Sequence, residues 1–291
     1  MHIRAEAQQS GRSLYCRPEL ADVFVAENVA MRQAIGWLRP AERTALMQWL
    51  TRIGPHWSGE ERRHSDDDWF EVDGAVVTNS AIAEAAFCIG LGLPAEVVSF
   101  DPSDWLMSPL KVARRIGNDI SSTIDLQNHW SVESIRDSLT QATPPTSSWE
   151  MLKDRVPASC PRLTFSDDAF EPLRGHPFNA VACERLELRL SMLNRFATCF
   201  DDDGRRNAEG HRIYEEHFTG EEAWFSDSSD SEIHKFKNEL TFRHPDASSE
   251  KLFCPYHGKV KTAQLRIHFS WPITHDSPVY VVYVGPKLTK R

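Results

Sequence analysis

No stretch of eighteen apolar residues occurs in this chain of 291 residues, so no helix is expected to cross a membrane. The opening MHIRAEAQQSGRS has no apolar segment of the secretory kind. Six cysteines (16, 88, 160, 183, 199 and 254) are scattered without the spacing of a disulfide framework. Reduced thiols in a cytoplasmic protein are the expectation. Glycine is sparse. The one glycine-rich run, GLGLP, closes a helical pattern instead of following a strand, so it is no phosphate-binding loop. Ser103 and Ser108 lack the G-x-S-x-G context of an activated nucleophile. Cys254 and His257 in CPYHG have C-x-x-H spacing, yet no second ligand pair follows; His244 and His268 would have to complete a zinc site by accident of fold. In HPDASSEK, Glu250 and Lys251 are adjacent, which breaks the PD-(D/E)-x-K nuclease pattern. No metal and no cofactor is expected.

What is there is a chain that can build a core: 41% of its residues are hydrophobic, with nine Trp and fifteen Phe. The length suits two domains or one large one. The pattern predicts an α+β protein: a helix-rich N-terminal part with a small α/β unit, then a C-terminal antiparallel sheet packed on helices. The proline- and serine-bearing stretch 143–148 reads as a linker, leaving a helical and mixed domain over 1–142 and an α+β domain over 149–291.

In the first part, residues 19–38 read as one helix after Pro18, and Pro40 opens the next. The charged stretch 58–68, with Asp66, Asp67 and Asp68 in succession, reads as a solvated loop. WFEVDGAVV predicts a short strand or a hairpin, with a turn at Asp73-Gly74. The helix 80–92 and the strand AEVVSF complete a β-α-β run, TIDLQNHW is a strand, and Ser131 caps the helix after it. In the second part, WEMLKDRV is a short helix and RLTF a strand. The helix within 178–200 sets Leu186, Leu190, Leu193 and Phe200 on one face. Two amphipathic helices follow, the second with Ile233, Phe236 and Leu240 on one side.

The last forty residues are where pattern and charge coincide. Leu265, Ile267, Phe269 and Trp271 alternate with Arg266, His268 and Ser270, the period of a half-buried strand. Val279–Val284 is a second, more apolar strand, and Leu252–Phe253 with Gly258–Lys261 suggests one more short strand. Residues 235–291 hold ten Lys and Arg against four acids, a net +6 in a chain whose formal net charge is −9, so the remainder carries −15. A basic sheet face on an acidic protein is the footprint of a polyanion site. Residues 201–232 hold eleven acids and three bases. One reading folds part of this acidic segment over the basic sheet as an internal cover; the other leaves it as solvated helix faces.

The run GKVKTAQLRIHFSWP, a turn, and VYVVYVGPKLTK resemble the end of RelE/ParE-type bacterial toxins. The likeness centres on 258–291 and extends over 178–291. The resemblance implies an α+β fold and, in the RelE branch, ribosome-linked mRNA cleavage without metal, by Lys and Arg side chains around the scissile phosphate. Lys259, Lys261 and Arg266 match the basic residues of the central strands, and Lys287 and Lys290 those after the last strand. A bacterial stress or anti-phage setting is implied in the same way.

On this reading Lys259, Lys261, Arg266, His268 and Lys287 are catalytic candidates. Lys251, His257, Lys290 and Arg291 are nucleic-acid-binding candidates. RNA cleavage through the 2′-hydroxyl needs a base, cations for the phosphorane and an acid for the leaving oxygen. The ordinary pKa of histidine suits His257 and His268 to proton transfer; a lysine serves only if burial or neighbouring cations lower its pKa. Two function classes remain open. One is a metal-independent RNase module joined to an N-terminal regulatory domain, acting on RNA or the ribosome. The other is a non-catalytic scaffold whose basic sheet docks nucleic acid or an acidic protein.

Overall fold

The computed structural model describes residues 2–16, 18–53, 64, 68–100, 103–116, 119–221, 223–247 and 249–289. The chain divides into two units, Met1–Pro145 and Thr146–Arg291. The fold is α+β, with antiparallel sheets and helices in each unit.

The first unit runs α1 (His2–Gln9), β1 (Phe24–Ala26), β2 (Val29–Ala30), α2 (Met31–Trp37), α3 (Pro40–Gln48), β3 (Trp69–Val72), β4 (Ala75–Val76), α4 (Ala81–Gly90), β5 (Val97–Val98), β6 (Leu110–Ile116), β7 (Asp119–Leu126), β8 (Asn128–His129) and α5 (Val132–Gln141). The single helix expected over 19–38 is broken. A 3-10 turn, Pro18–Asp22, leads into the β1–β2 hairpin before α2 begins. The reason is local. Val23-Phe24-Val25 prefers extended backbone, and Asn28 accepts the left-handed conformation (φ 57°) that the reversal needs. The Asp73-Gly74 turn forms as expected, with φ of 48° and 81°, the geometry that matches strand twist in a two-residue hairpin. Ser131 caps α5 by accepting from the Ser134 amide. β5, after α4, pairs in parallel with β8, whereas β3 and β4 belong to an antiparallel sheet of order β4-β3-β6-β7.

The inner face of that sheet buries Phe70, Val72, Leu110, Val112 and Leu126 beneath α4. It also buries charge. Arg114 on β6 donates from Nε and Nη2 to Asp68 Oδ1 at 3.1 and 2.8 Å, and its guanidinium lies 5.1 Å from the Phe87 ring centre. His64 sits between Glu84 on α4, at 2.6 Å, and the Thr78 carbonyl, at 2.8 Å. Asp68 is therefore no part of a solvated loop; Asp66 and Asp67 lie outside the described residues. The pair ties the residue before β3 to β6, and two charges taken out of water stabilise that join only while both are present.

The second unit runs α6 (Trp149–Ser159), β9 (Leu163–Phe165), α7 (Ala180–Ala197), α8 (Ala208–His217), β10 (Phe225–Ser226), α9 (Asp230–Lys235), β11 (Thr241–Arg243), β12 (Lys251–Phe253), β13 (His257–Val260), β14 (Leu265–Phe269) and β15 (Val279–Pro286). Its sheet has the order β10-β13-β14-β15-β9. All pairings are antiparallel except β15 with β9 at the edge. α7, capped by Asn179, buries Leu186, Leu190, Leu193 and Phe196 and packs on α6 and β13. A chain of rings joins helices to sheet: Phe196 to Phe218 at 4.6 Å, Phe218 to Phe225 at 4.7 Å and Phe225 to Phe269 at 5.8 Å. Gly258 lies directly opposite Phe225, where a Cβ would come within 3.1 Å of its ring. α9 is shorter than the helix expected here. It stops at Lys235, so Phe236 and Leu240 lie beyond it.

All six cysteines are buried, and none forms a disulfide. Burial pushes the thiols of Cys183 and Cys254 up to about 12 and that of Cys160 up to about 11.

The buried pair in the first unit sets a prediction. Asp68→Ala leaves Arg114 charged and enclosed, and should destabilise that unit by about 3–5 kcal/mol. The double change Asp68→Ala with Arg114→Met, which removes both charges, should recover most of the loss. Urea unfolding of the full chain, read by hydrogen exchange over 69–90, measures both.

Candidate functional site

Strand β14 builds the site by alternation. Leu265, Ile267 and Phe269 enter the aromatic core, which turns Arg266 and His268 to the opposite face. Across β13, Lys259 stands directly opposite Arg266, and His257 directly opposite His268. Across β15, Gly285 stands opposite Arg266, and Tyr283 opposite His268. The face therefore carries two rows: Lys259, Arg266 and Gly285 in one, and His257, His268 and Tyr283 in the other.

The histidine row is closed in. Phe242 of the β11–β12 hairpin lies 5.9 Å from the His268 ring and 6.1 Å from the Tyr283 ring. His268 is 2% exposed, and its Nδ1–H donates to the Cys254 carbonyl at 3.0 Å. His257 Nδ1 faces the Pro255 carbonyl at 3.2 Å. Burial, before any neighbouring charge, drives His257 down to about 4 and His268 down to about 3. Both are neutral near pH 7 and enclosed, so neither supplies the solvent-facing proton transfer that the ordinary histidine pKa suggested. They form a polar floor beneath the hairpin.

The cation row remains open. Lys259 and Arg266 are half-buried like charges in direct cross-strand register, a destabilising arrangement unless a counter-charge visits. Burial, then the charges of Arg266 and Lys261, push the Lys259 ammonium below its ordinary value. Burial acts on the Arg266 guanidinium in the same direction. Arg266 Nη1 donates to the Leu265 carbonyl at 2.9 Å, while its Nε is buried without a hydrogen-bond partner. Lys261 begins the turn joining β13 to β14 and is exposed. That turn is held from α7, where Arg189 donates to the Lys259 carbonyl at 2.9 Å and Arg185 to Thr262 at 2.6 Å.

Lys287 follows β15 and reaches Glu232 of α9 at 2.9 Å. The same carboxylate accepts from the Thr289 hydroxyl at 2.6 Å. The Thr289 hydroxyl, then Lys287, hold the Glu232 carboxyl down at about 2, against the opposing effect of burial. Lys251 lies apart on the β11–β12 hairpin, exposed and opposite Arg243. Lys290 and Arg291 lie outside the described residues.

The sheet thus brings together Lys259, Arg266, Lys261 and the two histidines, leaves Lys251 on another sheet, and adds Glu232. A sequence signal for Glu232 exists: Ser229-x-x-Glu232 is a capping box, and both of its hydrogen bonds form. That signal marks a helix start and says nothing of Lys287. Among the described residues, no group of three or more His, Cys, Asp or Glu could hold a metal ion.

The histidine floor makes the second unit acid-sensitive. Both folded-state pKa values lie below the ordinary 6.5, so the unfolded chain binds more protons as the pH falls from about 6.5 towards about 4, and stability falls with it. The slope is at most about 1.4 kcal/mol per pH unit for each histidine. It flattens below about 3, once the folded state also binds the protons. His268→Phe should reduce the slope between pH 7 and pH 5 in chemical-denaturation curves; an unchanged slope would assign the acid sensitivity to other groups.

No family model, curated protein or solved structure matches this chain, so its chemistry rests on its own side chains.

Proposed function

We propose that the cation row of the five-stranded sheet binds the phosphate backbone of RNA, and that the second unit is a RelE-like, metal-independent ribonuclease module. The observation that carries this reading is the Lys259–Arg266 pair: two like charges in direct register, with one guanidinium donor buried and unbonded. A phosphate between them would relieve the repulsion and take the spare donor. The order of elements agrees with the resemblance: an arginine on an alternating strand, an apolar strand after it, and a lysine beyond.

The chemistry follows from the same charges. Lys259, with its lowered pKa, takes the proton of the 2′-hydroxyl as general base. The 2′-oxygen attacks phosphorus, Arg266 stabilises the extra charge on the phosphorane, and the P–O5′ bond breaks. The 5′-oxygen leaves with a proton from the exposed Lys261, giving a 2′,3′-cyclic phosphate and a 5′-hydroxyl. His257 and His268 take no part in these transfers. The first unit serves as a regulatory or interaction domain.

The enclosed histidines favour a second reading, in which the same face binds RNA or an acidic protein without cleaving. The test is RNA cleavage by the full-length chain in EDTA, with and without ribosomes. Arg266→Ala should lower cleavage by about 100-fold or more, and the product should carry a cyclic phosphate. RNA retained without cleavage, with affinity falling steeply in salt, selects the binding reading. Neither cleavage nor retention overturns both nucleic-acid readings and leaves the acidic protein partner.

A further inference from the structure

Glu232 is the carboxylate whose charge reaches Arg266, His257 and His268 alike, and it comes from the acidic segment that precedes the basic sheet. Two other acids of that segment are engaged elsewhere: Glu209 pairs with Arg195 at 2.6 Å, and Asp202 faces His275 at 3.6 Å. Glu232 is the acid of that segment that meets the residues after β15.

Its setting is unusual for a surface ion pair. One carboxylate oxygen takes both Lys287 and Thr289, from the segment just after β15. The other accepts from the Ser229 amide at 3.3 Å and the Ser229 hydroxyl at 3.2 Å. The capping box thus fixes the carboxylate at the first turn of α9 and aims it at the end of the chain. Glu232 and Lys287 keep 26% and 32% of their side-chain surface exposed, so a solute can compete for the contact. Meanwhile Arg266 Nε has no partner, so the carboxylate leaves one donor of the cation row unused. A phosphate offers more negative charge and a third acceptor oxygen with which to compete for Lys287.

We infer that Glu232 occupies the place of a substrate phosphate, clamping residues 287–289 across the basic face, and that an RNA phosphate engages the site by displacing this carboxylate. The inference rests on the RNA reading above and assigns its regulation. The closed state is held by the chain's own anion, and opening frees Lys287 for the nucleic acid. Anything that binds α9 and draws Glu232 away would raise RNA affinity without touching the cation row.

Glu232→Gln tests this in the full-length protein. Glutamine keeps the shape and can still accept from Thr289, but it loses the charge. Two quantities are read: affinity for a short single-stranded RNA, and amide hydrogen exchange over 285–289. The expected result is affinity about fivefold higher than wild type, with faster exchange over 285–289. Lys287→Ala should speed the same exchange without raising affinity, because it removes a cation along with the clamp. Unchanged exchange in Glu232→Gln overturns the clamp. Faster exchange with affinity unchanged or reduced overturns the competition, and makes Glu232 a support for the tail. Faster exchange with no RNA bound by either protein sinks the RNA reading and keeps the clamp.

Discussion

Strand β14 is buried on one face and half-closed on the other, and the two faces are chemically opposite. One packs Ile267 and Phe269 into the aromatic core; the other sets His268 under the hairpin and Arg266 beside Lys259. A slip of one residue would drive a guanidinium and an imidazole into the rings of Phe225 and Phe218, and expose Ile267 to the polar side. Register is therefore enforced from both directions at once. The partners of β14 inherit that precision: Lys259 meets Arg266, and His257 meets His268, because no other alignment is tolerable. The same constraint explains a repulsive pair standing in direct register. The surrounding sheet over-determines the position, and the local cost is carried by the whole unit.

Much of this arrangement was written in local pattern. Alternation in 265–271 separated the residues of the core from Arg266 and His268. Asp73-Gly74 placed a hairpin, and Ser131 a helix start. What remained illegible is tertiary. Period-two alternation reports two faces but not whether the second is wet, and here Phe242 comes from another sheet to close it. That closure turned His268 from an expected proton carrier into a buried neutral ring. The helix read over 19–38 failed for a different reason: its apolar spacing suited a helix, while the tolerance of Asn28 for a left-handed turn decided the outcome. Asp68 looked like one of three solvated acids because Arg114, forty-six positions away, could not be paired with it by inspection.

The two units use charge in contrasting ways. In the first, Asp68 and Arg114 satisfy one another within a shell of aromatic rings and the pair is a fixed structural element. In the second, Lys259 and Arg266 stand as half-buried like charges, and the Glu232 carboxylate is shared among Lys287, Thr289 and Ser229. A satisfied pair holds a fold together; an unsatisfied cluster is an offer to a ligand.

The six enclosed thiols are divided between the two units. Cys16 and Cys88 belong to the first unit, and Cys160, Cys183, Cys199 and Cys254 to the second. Each keeps at most 7% of its surface exposed, which slows attack by an alkylating reagent while the fold is intact. Burial also keeps Cys160, Cys183 and Cys254 almost wholly in the unreactive protonated form. The chain therefore carries its own clock for opening, already divided between its halves, in which the rate at which each sulfur becomes modified reports how often its surroundings come apart.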